Sequence, residues 1–557
     1  MSANHVLRRL LAALSLSLLA TTGLASPQHL VISRQLVTID GRQAEKIALN
    51  QQIPGPVLRF REGETAEITV TNQLDVPTSV HWHGLILPGA MDGVPGLNGF
   101  HGIPPGQSFT YRFPLRQSGT YWYHAHSQLQ EQDGLYGALV VEPRVPAEAA
   151  DRDYVLLLSE FHPDSADTIL HKLKSIPGYY NQGRRTLTGL FAQAGREGWR
   201  STLADRLAWG RMRMDPTDLA DVTGYSFLVN GQPPADAWTG LFRPGERVRL
   251  RVINASAMSF FDFRIPGLGL QVVSADGREV DPVSVDEFRI APAETYDVIV
   301  RPAEAAAYTV VAEAIDRSGL ALATLATSPG LRGPAPALRT RTELTMADMG
   351  MAHADMHEMH HHPGMTMDMP MPKPARGGWA DAGTPTGHRA LRYEDLVSRN
   401  PQPDTRKPAR EIVIRLTGNM ERYAWTLDGQ PMAALPPWRL NAGERVRLTY
   451  ANETMMAHPM HLHGMFVQLE NGQPPERQPD KHTVIVPPGQ RVSVLLSATE
   501  AGEWALHCHL LYHMASGMMG QVVVARAVPD RAAPSSGPQP VPAPADMSME
   551  AHHHGHH

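Results

Sequence analysis

Four short histidine pairs carry the chemical content of this chain: His81 with His83, His124 with His126, His461 with His463, and His507 with His509. Along an extended strand, residues two apart face the same side about 6.6 Å from one another, so each pair offers two imidazoles to one place. Four pairs make eight nitrogen donors, and a set of that size points to metal chemistry. Imidazole suits copper, zinc, iron and nickel alike, so the histidines alone leave the metal open.

A lone His-x-His is a weak sign, because 27 histidines yield roughly one such pair by composition. Register makes these four stronger. Gly63-Glu64, Gly245-Glu246 and Gly443-Glu444 each open a strand of alternating residues, such as Arg247-Val248-Arg249-Leu250-Arg251-Val252. Eighteen and twenty residues past those glycines stand His81 and His83, then Phe263 and Ile265, then His461 and His463. The same count from Gly106, Ala293 and Gly489 reaches His124 and His126, then Val311 and Glu313, then His507 and His509. The chain therefore reads as a threefold repeat whose first and third copies carry the chemistry, while the middle copy keeps only the fold.

Cys508 chooses the metal. It is the one cysteine in 557 residues, so no intrachain disulfide can form. An unpaired cysteine is ordinarily a small buried hydrophobe. This one stands between His507 and His509, and strand alternation sends its thiol to the face opposite both imidazoles, so one tripeptide can touch two metal sites. His513 five residues on, Met518 ten residues on, and His458 three before His461 complete the two-His, one-Cys, weak-Met set of a blue-copper electron-transfer centre. Zinc would favour more thiolates, or an open site without the thioether.

These residues need strands to hold them, and the chain is too long for a single core. Short runs rich in Val, Ile, Thr and Tyr between Pro and Gly turns predict all-β sandwiches at 26–145, 146–333 and 409–528. Residues about 163–224 break that pattern. There Leu187, Leu190, Phe191, Ala194, Leu203 and Leu207, between Thr186 and Trp209, have the spacing of an amphipathic helix inserted in the second domain. Residues 334–408 turn rich in Pro, Gly, Met and His and read as a linker, and 529–557 as a disordered tail ending in histidines. Residues 1–25 have Arg8-Arg9, an apolar run from Leu10 to Ala20 and the small residues Gly23-Leu24-Ala25, the layout of a secretory signal peptide. The arginine pair admits the twin-arginine route. No longer apolar run predicts a membrane span, and a net charge of -6 without a basic stripe excludes nucleic acid as a partner.

His81-Trp82-His83-Gly84, His124-Ala125-His126, His458-Pro459-Met460-His461-Leu462-His463, and His507-Cys508-His509 with Leu510-Leu511-Tyr512-His513 resemble the four copper motifs of the multicopper oxidases. The resemblance implies three cupredoxin-like Greek-key β-sandwich domains with a helical insertion in the second, and four Cu ions. His458, Cys508, His513 and Met518 would hold one type 1 copper, and His81 and His461 one type 2 copper. His83, His124, His126, His463, His507 and His509 would hold the type 3 pair. Single electrons from a reduced substrate would pass through Cys508 to His507 and His509 and convert dioxygen to water. By the same resemblance Asp92, in Met91-Asp92-Gly93, is the best candidate for a proton donor or for an acid just behind the ligands, although aspartate before glycine is also an ordinary turn residue. Related enzymes place a second acid behind the cysteine motif. Leu511 and Met514 stand there in this chain, which leaves that role vacant or with Glu131 or Asp133. The stretch from Leu203 to Asp218 and the Met-rich linker resemble the periplasmic copper-resistance branch of the family.

Between Met346 and Met371 lie nine methionines and five histidines. Thioethers select Cu(I), and imidazole takes either copper state. Pro363, Gly364, Pro370 and Pro372, and the lack of Leu, Ile or Phe, argue against a packed helix face, so this segment is expected to bind extra copper, capturing Cu(I) or delivering it to the type 1 site. His552, His553, His554, His556 and His557 either extend that capacity or are decoration. The expected function is oxidation of Cu(I), with phenols as a second donor class, by dioxygen in copper resistance. Periplasmic copper-handling proteins are the expected partners. A laccase acting on aromatic substrates and a periplasmic copper store without turnover are the alternatives. Iron oxidation suits the chain less, since no acidic cluster stands beside the type 1 motifs.

Overall fold

Strand Thr65–Asn72 buries every second residue, Ala66, Ile68, Val70 and Asn72, and turns the others outward, as a sheet with one face on a core requires. The computed structural model describes residues 25–145, 149–181, 185–211, 219–340, 379 and 383–525. These form six sheets arranged as three two-sheet sandwiches.

In the first sandwich a sheet built on Gln28–Ile39 and Thr65–Asn72 faces one that runs Gly55–Arg61, Tyr136–Glu142, Gly119–His124, His81–His83. The middle and last sandwiches share one plan, a six-stranded sheet against a five-stranded one. All three repeat a parallel pairing between the opening strand and a later one: Gln28–Ile39 with Thr65–Asn72, Arg152–Phe161 with Val248–Asn254, and Arg410–Asn419 with Arg445–Asn452. Each sandwich encloses its own apolar cluster, with Trp82, Phe263 and Trp504 among the buried rings.

The counting frame has a backbone cause. Gly63, Gly245 and Gly443 sit at φ 87°, 86° and 78°, a conformation glycine adopts freely, in the turn before each strand. The second frame has Gly106 and Gly489 at 71° and 65°, and between them Ala293 holds φ 74° without being glycine, fully buried. The turn outlasts the residue that suits it best. In the middle sandwich Phe263 and Ile265 are core residues, and the Glu313 carboxylate pairs with Arg264 at 2.7 Å, so packing and an ion pair stand where the other repeats have imidazoles.

The insertion differs from a single amphipathic helix. It contains Ala166–Ser175, Leu187–Glu197 and Trp199–Arg211, the last two separated by Gly198 at φ 84°. Ser165 and Thr186 cap the first two, each hydroxyl accepting an N–H from the first turn. Ala166, Ile169 and Leu173 pack into the core of the last sandwich. Leu187, Phe191, Leu203 and Leu207, expected to face a core, are exposed. Among the described residues no helix is long and apolar enough to cross a membrane. The signal sequence, the 346–371 segment and the terminal histidines lie outside the described residues.

Candidate metal centre

Two short antiparallel pairs, one from each outer sandwich, bring the histidines together. His81 lies opposite His124, and His461 opposite His507, with Met460 opposite Cys508. The two pairs face each other across the junction of the first and last sandwiches. Three triads result in which one donor atom per residue lies within 4.8 Å of the others: His81, His83 and His461; His83, His124 and His509; and His126, His463 and His507. A fourth triad, His458, Cys508 and His513, lies on the other side of the Cys508 strand. Alternation along His507-Cys508-His509 therefore places the thiol in one group and its neighbours in two others. All the side chains predicted from sequence as ligands are buried except His126, which is half-buried.

Outer hydrogen bonds fix which nitrogen faces inward. His81 Nδ1 donates to the Asp92 carbonyl at 2.8 Å, His461 Nδ1 to the His482 carbonyl at 2.7 Å, and His507 Nδ1 to the Cys508 carbonyl at 3.0 Å. His463 Nδ1 donates to Asp92 Oδ2 at 2.9 Å, and His124 Nδ1 faces Glu131 Oε2 at 2.6 Å. Each of these rings keeps a bare Nε2. His83 is reversed: its Nε2 lies 3.2 Å from both His482 Nδ1 and Thr483 Oγ1, and its Nδ1 is the buried atom without a partner. At the thiol site His458 Nε2 meets Thr454 Oγ1 at 2.6 Å and His513 Nε2 donates to Asp221 Oδ2 at 2.6 Å, leaving both Nδ1 atoms beside Cys508.

This chemistry fits a bound cation. The Nε2 atoms of His463 and His507 stand 3.1 Å apart, both bare, and the Nδ1 atoms of His458 and His513 do the same at 3.1 Å. Facing lone pairs repel unless positive charge sits between them. The Nε2 atoms of His81, His124, His461 and His509 are buried with no hydrogen-bond partner, each at a cost of about 1–3 kcal/mol if nothing else binds it. Burial, followed by neighbouring imidazoles, holds His83, His124, His126, His461, His463 and His509 well below the usual histidine range; burial also brings His507 down to about 4. Burial thus disfavours the charged form of these rings, leaving the lone pairs that a metal donor needs. Burial pushes the Cys508 thiol up, so the thiolate that soft metals bind forms there only with a cation beside it.

The thiol lies 3.5 Å from His458 Nδ1 and 3.8 Å from His513 Nδ1. Met518 is wholly buried next to them, its N–H donating to His513 and its carbonyl accepting from Cys508. Trp425 stacks on His513 at 3.8 Å. The predicted Asp92 is 1% exposed, turned toward the cluster rather than into a solvated turn. Of the two alternative acids, Glu131 reaches the cluster through His124, whereas Asp133 pairs with Lys46 at 2.9 Å. Burial and then Glu160 push Glu131 well above the carboxylate range.

Sequence reasoning missed Thr454, Asp221, His482 and Thr483. None has a partner at strand spacing, and Asp221 is 292 residues from the histidine it touches. Asp221 also accepts from the Tyr423 hydroxyl at 2.6 Å.

Family models described as multicopper oxidase match residues 31–146, 152–330 and 405–528. A copper resistance protein A homolog of Pseudomonas syringae pv. tomato is 44% identical, over 89% of this chain and 92% of the relative. Copper resistance protein A of Escherichia coli is 44% identical, over 92% of this chain and 94% of its own. The solved multi-copper oxidase of Pseudomonas thermotolerans aligns with a TM-score of 0.61 at 22% identity, covering 90% of this chain and 100% of that one, a likeness of fold. With motifs, sandwiches and relatives in agreement over nearly its whole described length, the chain belongs to the multicopper oxidase family.

Proposed function

We propose that this oxidase works in the periplasm in copper resistance, oxidising Cu(I) with dioxygen as acceptor and holding four copper ions. The observation that carries the reading is the division of His507-Cys508-His509 among three donor groups. His458, Cys508, His513 and Met518 are assigned to type 1 copper, and His81 and His461 to type 2. One type 3 ion is assigned to His83, His124 and His509, the other to His126, His463 and His507. Copper bound in these places would accept single electrons at Cys508 and supply four to dioxygen, giving water. The chain's own part is to keep the imidazoles neutral, to exclude water from the thiol and to hold Asp92 and Glu131 against the cluster for proton supply.

The surroundings of His513 favour a cation over a phenol as donor. His458 and His513 are both fully buried, and the outer nitrogen of His513 is covered by Asp221 and Tyr423 rather than by an open apolar pocket. Asp221 Oδ1 is buried without a hydrogen-bond partner. Asp221→Asn is expected to slow reduction of the blue centre by Cu(I) about tenfold, roughly 1.4 kcal/mol, and by a phenol much less. Stopped-flow bleaching measures both rates; equal losses would remove Asp221 from the Cu(I) path.

The 346–371 segment is proposed to capture Cu(I). Arg339, before it, pairs with Glu287, and Trp379, after it, is buried against Phe260 beside Met455, Met456 and Ala457, the residues leading into His458. In sequence Met371 is eight residue steps from Trp379, at most about 28 Å of extended chain. Oxygen uptake with Cu(I) and with a phenol, for the intact chain and one lacking 346–371, tests this. Loss of the Cu(I) rate alone is expected; unchanged rates would overturn the capture role.

A further inference from the structure

A ninth histidine, itself buried, adjoins the cluster without belonging to the repeated pairs. His482 is 1% exposed, and its ring stands edge-on to His83 at 4.6 Å and 81°. Its Nδ1 lies 3.2 Å from His83 Nε2 and 3.1 Å from Thr483 Oγ1. With its proton on Nε2, His83 has two acceptors in reach, His482 Nδ1 and Thr483 Oγ1, and His482 Nδ1 stands 3.6 Å from Asp276 Oδ2 behind it. Its backbone carbonyl meanwhile receives the Nδ1 proton of His461, whose ring stacks on His83 at 3.8 Å. One residue thus holds a histidine of the first sandwich and one of the last.

The middle sandwich puts that residue in place. Asp276 and Gly277, at φ 49° and 73°, form the tight turn joining Leu270–Ala275 to Arg278–Val285, with the twist suited to a two-residue hairpin. The turn pushes the Asp276 carboxylate toward the other two sandwiches, where Oδ2 accepts the backbone N–H groups of His482 and Thr483, both at 3.1 Å. Lys481 Nζ, with no exposure, lies 3.2 Å from the same oxygen and 2.7 Å from Glu294, so the buried carboxylate has a counter-charge. Space is reserved as well: a Cβ on Gly84, the residue after His83, would come within 2.5 Å of the His482 ring.

In the histidine cluster, five rings have Nδ1 tied to an outer oxygen and leave Nε2 free, whereas His83 has Nε2 tied and Nδ1 bare, as His458 and His513 do at the separate Cys508 site. We infer that His482, carried by the Asp276 turn of the ligand-free middle sandwich, is a positioning residue that fixes Nδ1 of His83 as the atom facing the trinuclear cluster. The inference rests on the assignment of copper to these histidines. An imidazole binds metal through the nitrogen that carries no proton, so an acceptor behind the other nitrogen decides which one is free. Without His482 Nδ1, Nε2 of His83 keeps only the Thr483 hydroxyl at 3.2 Å and loses the ring packed edge-on against it, so the hold on its tautomer and orientation weakens.

The test uses the full chain loaded with copper and two variants, His482→Leu, which removes the acceptor, and His482→Asn, whose carboxamide oxygen stands near the position of Nδ1. Copper per chain after challenge with a chelator, the electron paramagnetic resonance of the cluster, the blue absorption and oxygen uptake are read together. His482→Leu is expected to keep the blue absorption, which reports the separate Cys508 site and the fold. It should lose cluster copper or gain a new resonance from an uncoupled ion, and its oxygen uptake should fall 10–100-fold, the usual range for an outer partner of a metal ligand. His482→Asn should restore all three. Copper retention and resonance in His482→Leu equal to the parent's would overturn the inference. So would His482→Asn failing as badly as His482→Leu. A parent chain that takes up blue copper but none in the histidine cluster would instead bring down the assignment beneath it.

Discussion

Cys508→Ser should leave a folded, colourless protein that consumes no oxygen with any donor. Serine is nearly the size of cysteine, and the site is fully buried, so the strand Gly502–Cys508 keeps its pairing with His458–Leu462 and Met519–Ala525. What is lost is the polarisable thiolate. On the proposed assignment its bond to copper would give the blue colour, and in this fold the same residue is the covalent joint between the group at His458 and His513 and the triads at His507 and His509. A hydroxyl offers neither the colour nor the coupling. The expected fall in oxygen uptake is at least about 10³-fold, on the order of 4 kcal/mol in the barrier. Copper analysis should still find the histidine cluster loaded, because its triads contain no sulfur ligand. Turnover persisting within tenfold of the parent would mean that electrons enter the cluster by another way.

The second large effect is expected from Asp92→Asn, with the opposite spectral outcome. Asp92 touches the cluster at three atoms: its carbonyl accepts from His81, Oδ2 accepts from His463, and Oδ1 lies 3.4 Å from His81 Nδ1. Gly93 secures this placement, since a Cβ there would strike the Val80 carbonyl at 1.9 Å. Asparagine keeps the shape and one acceptor but cannot take up and release a proton. Blue absorption and copper content should therefore be unchanged while oxygen uptake falls about 10²–10⁴-fold, the range for a lost acid–base group. In single turnover the blue centre should reduce normally and reoxidise slowly. A variant that reoxidises at the parental rate would pass the proton role to Glu131.

The histidine pairs were readable because two-residue spacing is a local property of a strand, and because the same glycine turn sets the count in each repeat. The turn at Ala293 obeys that count even though alanine at positive φ gives no hint of it. The residues that orient the ligands could not be read in this way. His482 means nothing until the chain folds it against His83, 399 residues away, and Asp221 becomes informative only on meeting His513. The insertion shows the opposite failure. The spacing of Leu187, Phe191, Leu203 and Leu207 suits a helix, and helices form there, but spacing cannot say whether a face meets a core or water, and these side chains are exposed.

No triad of the histidine cluster is complete within one sandwich: His509 joins His83 and His124, His126 joins His463 and His507, and His461 joins His81 and His83. The two halves come from opposite ends of the described chain, and the carboxyl-terminal half leaves the ribosome last. The three donor groups therefore exist only after the final sandwich has docked. A chain halted before residue 458 would hold only the four imidazoles that the His81–His83 and Gly119–His124 strands bring together, without the partners from the last sandwich that complete each triad.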